Sequence, residues 1–175
     1  MNKIFLFLIV SFCFSSVHSS VINGLDLRHN KNIEVKLSEK KSTVFYFLSA
    51  WCPCSQGTFD HLNKLQKEFP TFNFVGFHSS IAIPTKDALD YFKNYKVDFP
   101  IIQDKEVIYA DKYKALKTPH VFVYSPKGEV LFQGGATNSR MIEKADKFYL
   151  KEALSAIAKG EKPPVENAKV LGCYI

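Results

Sequence analysis

Five successive residues, Val44-Phe45-Tyr46-Phe47-Leu48, are apolar, and within four residues the chain reaches Trp51-Cys52-Pro53-Cys54. A strand that is hydrophobic at every position has no side to give to water. It therefore belongs in the middle of a sheet covered on both faces. From Ser55 to Phe69 the spacing changes: Phe59, Leu62, Leu65 and Phe69 recur at helical intervals, and Pro70 stops the helix. A buried strand that runs almost directly into an amphipathic helix restricts the chain to architectures that layer helices on a sheet.

The remaining segments fit that restriction. Asn32 to Leu37 reads as a short strand, followed by a polar turn and the apolar strand Thr43 to Ser49, and "FNFVGF" supplies the next strand. Thr85 is placed to cap a second helix lined by Ala88, Tyr91, Phe92 and Tyr95. "FPII" is a short extended segment, "EVIYADKYKAL" a short helix, and "HVFVYSPKGEVLFQG" a hairpin turning at Ser125 to Gly128. A last helix over Lys147 to Lys159 ends at Gly160, and Pro163-Pro164 starts an extended tail. Strands joined through helices are parallel and the hairpin is antiparallel, so the sheet is mixed, with helices on both faces.

The first residues read as an export signal. Lys3 is followed by an apolar run from Ile4 to Phe14, then Ser15-Ser16 and a small-residue cleavage site before Ser20. The run is too short to span a bilayer as a helix, and no second apolar span follows. The expected organisation is a signal at 1–19, one domain at 20–162 and an extension at 163–175 carrying Cys173, in a secreted or periplasmic protein. The formal net charge is +6, but lysines alternate with acids in segments such as "KDALDYFKNYK", which suits a solvated surface and not a nucleic-acid stripe. Gly134-Gly135 reads as a strand terminator, since no surrounding motif supports a phosphate cradle.

Past the signal the cysteines are Cys52, Cys54 and Cys173. An odd number in a compartment where disulfides persist points to a reactive thiol or an exchanging set. Cys52 lies where a buried strand turns into a helix, beside the apolar surface of Trp51. No acidic residue lies between Val44 and Asp60 to oppose a thiolate. Side chains two apart on a helix point about 200° away from each other, so Cys52 and Cys54 can join only if Cys52 precedes the first turn, and the ring is then small and strained.

The element order, with "YFLSAWCPC" ending an early central strand and "KTPHVFVYSPKGEVLFQG" before the last helix, resembles the thioredoxin fold, a three-layer α/β/α sandwich. More narrowly it resembles extracytoplasmic redoxins of the alkyl hydroperoxide reductase/thiol-specific antioxidant (AhpC/TSA) superfamily, over roughly residues 33 to 159. The resemblance implies a cis-proline at Thr118-Pro119 beside Cys52, where a substrate chain would be positioned, and a site shaped by Trp51. It implies thiol–disulfide exchange with protein or small-molecule thiols, an electron-donating reductase as partner, and no bound organic cofactor.

The chain departs from that family at two points. The usual pair is Cys-x-x-Cys, and here Ser55 stands where the resolving cysteine would be, leaving Cys54 or Cys173 for that task. A peroxidatic cysteine would have a proline seven residues before it and a threonine or serine three residues before it; Ser49 is in place, but the earlier position is Phe45. Three rival readings follow from the same residues. One is a copper- or zinc-binding protein using Cys52, Cys54 and either His120 or Cys173; the second is a thiol peroxidase acting through Cys52; the third is a non-catalytic binding module on the same fold. Cys173 also has a plain reading as a static clamp on the tail, and His78 and His120 as strand-end hydrogen-bonding residues.

Overall fold

The computed structural model describes residues 21–175, so the export signal read at 1–19 lies outside the described residues. The strands are β1 (Val21–Asp26), β2 (Lys31–Lys36), β3 (Thr43–Leu48), β4 (Asn73–His78), β5 (Ile101–Gln103), β6 (Lys117–Thr118), β7 (His120–Tyr124), β8 (Val130–Gly134) and β9 (Cys173–Tyr174). The helices are α1 (Pro53–Gln56), α2 (Phe59–Glu68), α3 (Thr85–Lys93), α4 (Ile108–Tyr113) and α5 (Tyr149–Ala158). Seven strands form one sheet in the order β2-β1-β5-β4-β3-β7-β8, and β6 pairs with β9 apart from it. β3 is parallel to β4 and antiparallel to β7, as expected for a mixed sheet.

The unbroken apolar run of β3 serves two cores at once. Val44, Tyr46 and Leu48 point into one, beneath Leu62 and Leu65 of α2, Phe92 of α3 and Leu150 and Leu154 of α5. Phe45 and Phe47 point into the other, with Phe77, Phe122 and the α4 residue Ala110. That second layer is aromatic: the Phe47 and Phe77 rings stack at 5.1 Å, and Phe45 meets Phe77 edge-on at 5.4 Å.

Three details differ from the sequence reading. The helix expected from Ser55 to Phe69 is interrupted at Gly57-Thr58, giving α1 and α2. The Ser55 carbonyl, which a regular helix would offer to Phe59, instead accepts the Thr58 hydroxyl at 2.7 Å and the Tyr46 hydroxyl at 3.5 Å. The cap expected at Thr85 is also displaced, because Pro84 holds the N-cap position and no side chain caps α3. Finally, β1 is a full strand paired along β2, although its apolar residues show no regular period.

The end of β1 that meets β5 carries a buried carboxylate. Asp26 accepts from the Arg28 backbone N–H at 3.1 Å, from Arg28 Nε at 3.0 Å and Nη2 at 2.8 Å, and from the Ile101 N–H at 3.3 Å. Burial pushes this carboxyl up, but the Arg28 hydrogen bonds and charge and the Ile101 N–H outweigh it, and the net shift is below its ordinary 3.8.

The tail is part of the fold. Past α5 it runs beside β8, where the Gln133 N–H donates to Glu166 O at 2.8 Å and the Ala168 N–H to Gln133 O at 2.9 Å. Gly134 makes room for it: its φ is +140°, and a Cβ there would sit 2.3 Å from Ala168 O. Gly134 thus ends the strand, as the sequence suggested, and also admits the returning chain.

Asp26→Ala leaves the Arg28 guanidinium buried without its partner and should lower the unfolding free energy by about 3–5 kcal/mol in urea titrations at pH 7. A carboxyl lowered on folding stabilises fully above its ordinary value and loses that contribution as pH falls through the folded one. The gap between wild type and variant should therefore close only below about pH 4.

Candidate active site

Cys52 is the N-cap residue of α1, with an extended backbone (φ −81°, ψ 111°) and Pro53 following in the first turn. It thus precedes the helix, the one arrangement in which Cys54 can lie near it. Its side chain is buried and its thiol donates to Thr118 O at 3.8 Å. Thr118-Pro119 is a cis peptide bond, as the resemblance implied. Trp51 stands beside the cysteine, 56% exposed, with its backbone in the left-handed region at φ +59°. A bulky residue adopts that conformation only when its surroundings hold it, and here it turns the chain from β3 into α1 with the indole outward.

The three cysteines converge. Cys173 lies on β9, opposite Thr118 in an antiparallel register, with Tyr174 opposite Lys117. All three are free thiols: Cys52 is buried, Cys54 half-buried and Cys173 exposed. Burial pushes the Cys52 thiol up, but the Ser55 hydroxyl, the N–H groups of Ser55 and Cys54 and the Cys173 thiol all favour the charged sulfur, and the net shift is downward. Cys54 moves the other way, raised by its own burial and by the charges of Cys52 and Cys173. Cys173 is raised chiefly by the Cys52 charge, then by burial. One thiolate is thus favoured among three sulfurs, and it is that of Cys52.

Two contributors escaped the sequence reading. Ser55, which occupies the place of a missing cysteine, is completely buried; its hydroxyl oxygen accepts the Ser49 N–H at 3.4 Å, and the hydroxyl favours the charged form of the Cys52 sulfur. Arg140, one of two arginines in the chain, lowers the values of Cys54 and Cys173 by its charge. It lines a small cleft with Cys54, Thr58, Pro119, Ala136 and the tail residue Leu171. Ser55 could have been found by asking what else a residue at that helical position can do for the sulfur. Arg140 sits in a loop that carries no motif.

The histidines lie elsewhere. His120 packs its ring on Phe122 at 4.3 Å, and burial pushes it down to about 4. His78 is fully buried, edge-on to Phe92 at 5.5 Å, and burial likewise lowers it to about 4. Both rings are therefore neutral at pH 7. Among the described residues, no group of three or more His, Cys, Asp or Glu side chains is arranged to hold a metal ion. The structure brings Cys52, Cys54 and Cys173 together at Thr118-Pro119; it does not bring His120 into a metal-holding set with them.

A buried strand ending at a capped cysteine, beside a cis-proline loop, is the frame in which relatives are informative. Residues 23–133 match the family model described as the AhpC/TSA family. The chain belongs to the AhpC/TSA family. It is 30% identical over 115 residues to the thioredoxin-like protein YneN of Bacillus subtilis, covering 61% of this chain and 64% of that one. It is 22% identical over 107 residues to the thiol-disulfide oxidoreductase ResA of the same organism, covering 61% and 60%. The match thus spans somewhat under two thirds of each relative. An uncharacterized conserved protein of Geobacillus kaustophilus shares the fold, with a TM-score of 0.77 at 18% identity over 90% of this chain and 88% of that one. This redoxin therefore has the thioredoxin-like α/β fold, and among the described residues no helix is long and apolar enough to cross a membrane.

Ser55→Ala removes the hydroxyl that favours the Cys52 thiolate. The pH midpoint of iodoacetamide labelling at Cys52, followed by peptide mass spectrometry, should rise.

Proposed function

We propose that this redoxin is an exported thiol–disulfide oxidoreductase in which Cys52 is the nucleophile and Cys173 the resolving thiol. The observation that carries the reading is the seating of Cys173 opposite Thr118, next to the one sulfur whose surroundings favour a thiolate. Cys52 Sγ attacks a sulfur of the substrate disulfide, forming a mixed disulfide and releasing the other substrate sulfur as a thiolate. The Cys173 sulfur then attacks Cys52 Sγ and frees the bound substrate thiol. The enzyme is left with a Cys52–Cys173 disulfide, which an external dithiol donor reduces. The sulfurs carry both electrons, so no bound organic cofactor enters the scheme.

Cys173 is better suited than Cys54 to the second step. It is on a separate exposed strand that can approach and withdraw, whereas closing Cys52 onto Cys54 makes a small ring within the first turn of α1. Cys54 instead places its N–H near the Cys52 sulfur. The peroxidase reading has less support: Phe45, where that chemistry would have a proline, is mid-strand in β3 and paired to both Val75 and Phe122. The extracytoplasmic location rests on the leader-like first residues.

Insulin reduction with dithiothreitol as donor checks the assignment. Cys52→Ser should fall to background. Cys173→Ser should turn over more slowly by on the order of tenfold to a hundredfold, because a tethered thiol at high effective concentration is lost. Cys54→Ser should keep most of its activity, and the mass map of oxidised wild type should show Cys52 joined to Cys173. Equal activity in wild type and Cys52→Ser would overturn the reading.

A further inference from the structure

Strand β9 occupies the backbone of Thr118, the place where the site offers main-chain hydrogen bonds to an extended chain beside Cys52. Its hold is short. Cys173 and Tyr174 are exposed, Tyr174 at 78%, and the attachment comprises two paired residues, the Ile175 N–H on Leu116 O at 3.2 Å, the Lys117 ammonium 4.7 Å from the Tyr174 ring, the Cys173 thiol beside Cys52 and the half-buried Ile175 side chain against the Phe45–Phe77 core. The chain upstream is anchored separately, by Glu166 and Ala168 on Gln133 and by Ala168 against the core. A short, exposed, two-residue pairing tethered to a fixed segment belongs to the part of a structure that opens locally.

Building on the thiol-exchange reading, we propose that β9 is a displaceable stand-in for substrate. The β6 edge then receives an extended segment of a partner protein with a glycine immediately before its disulfide cysteine, and β9 evicts that segment as Cys173 resolves the mixed disulfide. The glycine requirement comes from Gly172, where a Cβ would lie 2.0 Å from Thr118 O and 3.0 Å from Pro119 Cδ. A partner strand in the same register meets the same wall. Tyr174 over Lys117 marks an aromatic residue as favoured in the position after the cysteine. The neighbouring cleft, lined in part by Leu171, has room for about one water molecule and gives a bulky small molecule little alternative lodging.

The exchange balances within this scheme. With β9 away, Cys52 Sγ bonds to the partner's glycine-preceded sulfur, that partner's S–S bond breaks, and its second sulfur leaves as a thiolate that takes a proton from water. When β9 returns, the Cys173 thiol loses its proton to water and its sulfur bonds to Cys52 Sγ. The Cys52–partner bond breaks and the partner sulfur leaves as a thiolate, which is protonated in turn. The partner gains two electrons and the Cys52/Cys173 pair loses two. Because substrate and β9 need the same backbone atoms, resolution and release are one event.

The test uses the full chain carrying Cys54→Ser and Cys173→Ser, with and without Gly172→Ala, which forces β9 off Thr118. Two probes are compared as mixed disulfides with thionitrobenzoate: an extended nonapeptide with central Gly-Cys-Tyr, and cysteine alone. If β9 covers the site about nine-tenths of the time, Gly172→Ala should speed thionitrobenzoate release from the peptide about tenfold, in proportion to the competent fraction. It should leave the cysteine probe nearly unchanged, and replacing the peptide's glycine with valine should abolish the gain. A peptide that gains no more than cysteine does, or that is indifferent to the valine, overturns the proposal. Failure of Cys52 to react with either probe overturns the thiol-exchange reading itself, a separable result. In the wild-type chain, hydrogen exchange should be fast at the Ile175 amide and slow at the Ala168 amide; equal protection overturns the local opening.

Discussion

The site exists because β3 is buried on both faces. A strand with no exposed side cannot shift its register without moving Phe45, Phe47, Val44, Tyr46 and Leu48 out of two cores at once. The point where it stops is therefore fixed, and so is the turn through Trp51 that follows. Tyr46 ties the floor of that turn by its hydroxyl, which bonds to Thr58 and to the Ser55 carbonyl. Cys52 is presented by a short turn clamped between two rigid elements, which is what a reacting atom requires.

The thiolate is favoured without a cation at hand. The groups that favour the charged Cys52 sulfur are a hydroxyl, two backbone N–H groups and a thiol, all dipoles set by the start of α1 and by β9. Such dipoles act over short distances, which explains why the tail bears on Cys52 chemistry. The mutual charge effects among the three sulfurs pull their values apart, so that one is favoured as a thiolate while the other two remain protonated. The full charge of Arg140 acts on Cys54 and Cys173, the sulfurs that wait.

Much of this was legible in the residues. The unbroken Val44–Leu48 run announced a two-sided strand, the Phe59/Leu62/Leu65 spacing announced α2, and Thr118-Pro119 suggested the cis bond through family resemblance. What escaped were features with no periodic or compositional signature. β1 is held by its pairing with β2 and by the buried Ile22 without a repeating apolar face, and the break at Gly57-Thr58 depends on Tyr46, which is remote in sequence. Ser55 looked like a loss because a missing cysteine is easier to see than a gained hydroxyl.

The sequence by itself determined the layered architecture, the position of Cys52 at the exit of the central strand and the presence of Cys54 and Cys173 as further thiols. Those follow from local pattern and from counting, which neighbouring residues carry in full. Only the tertiary structure decided which thiols meet. Cys173 lies 121 residues from Cys52, and its place depends on a tail turning past Gly134 and Gly172 to pair with Thr118. The register of such a long-range backbone pair is set by what the rest of the fold leaves open, and no local spacing encodes it.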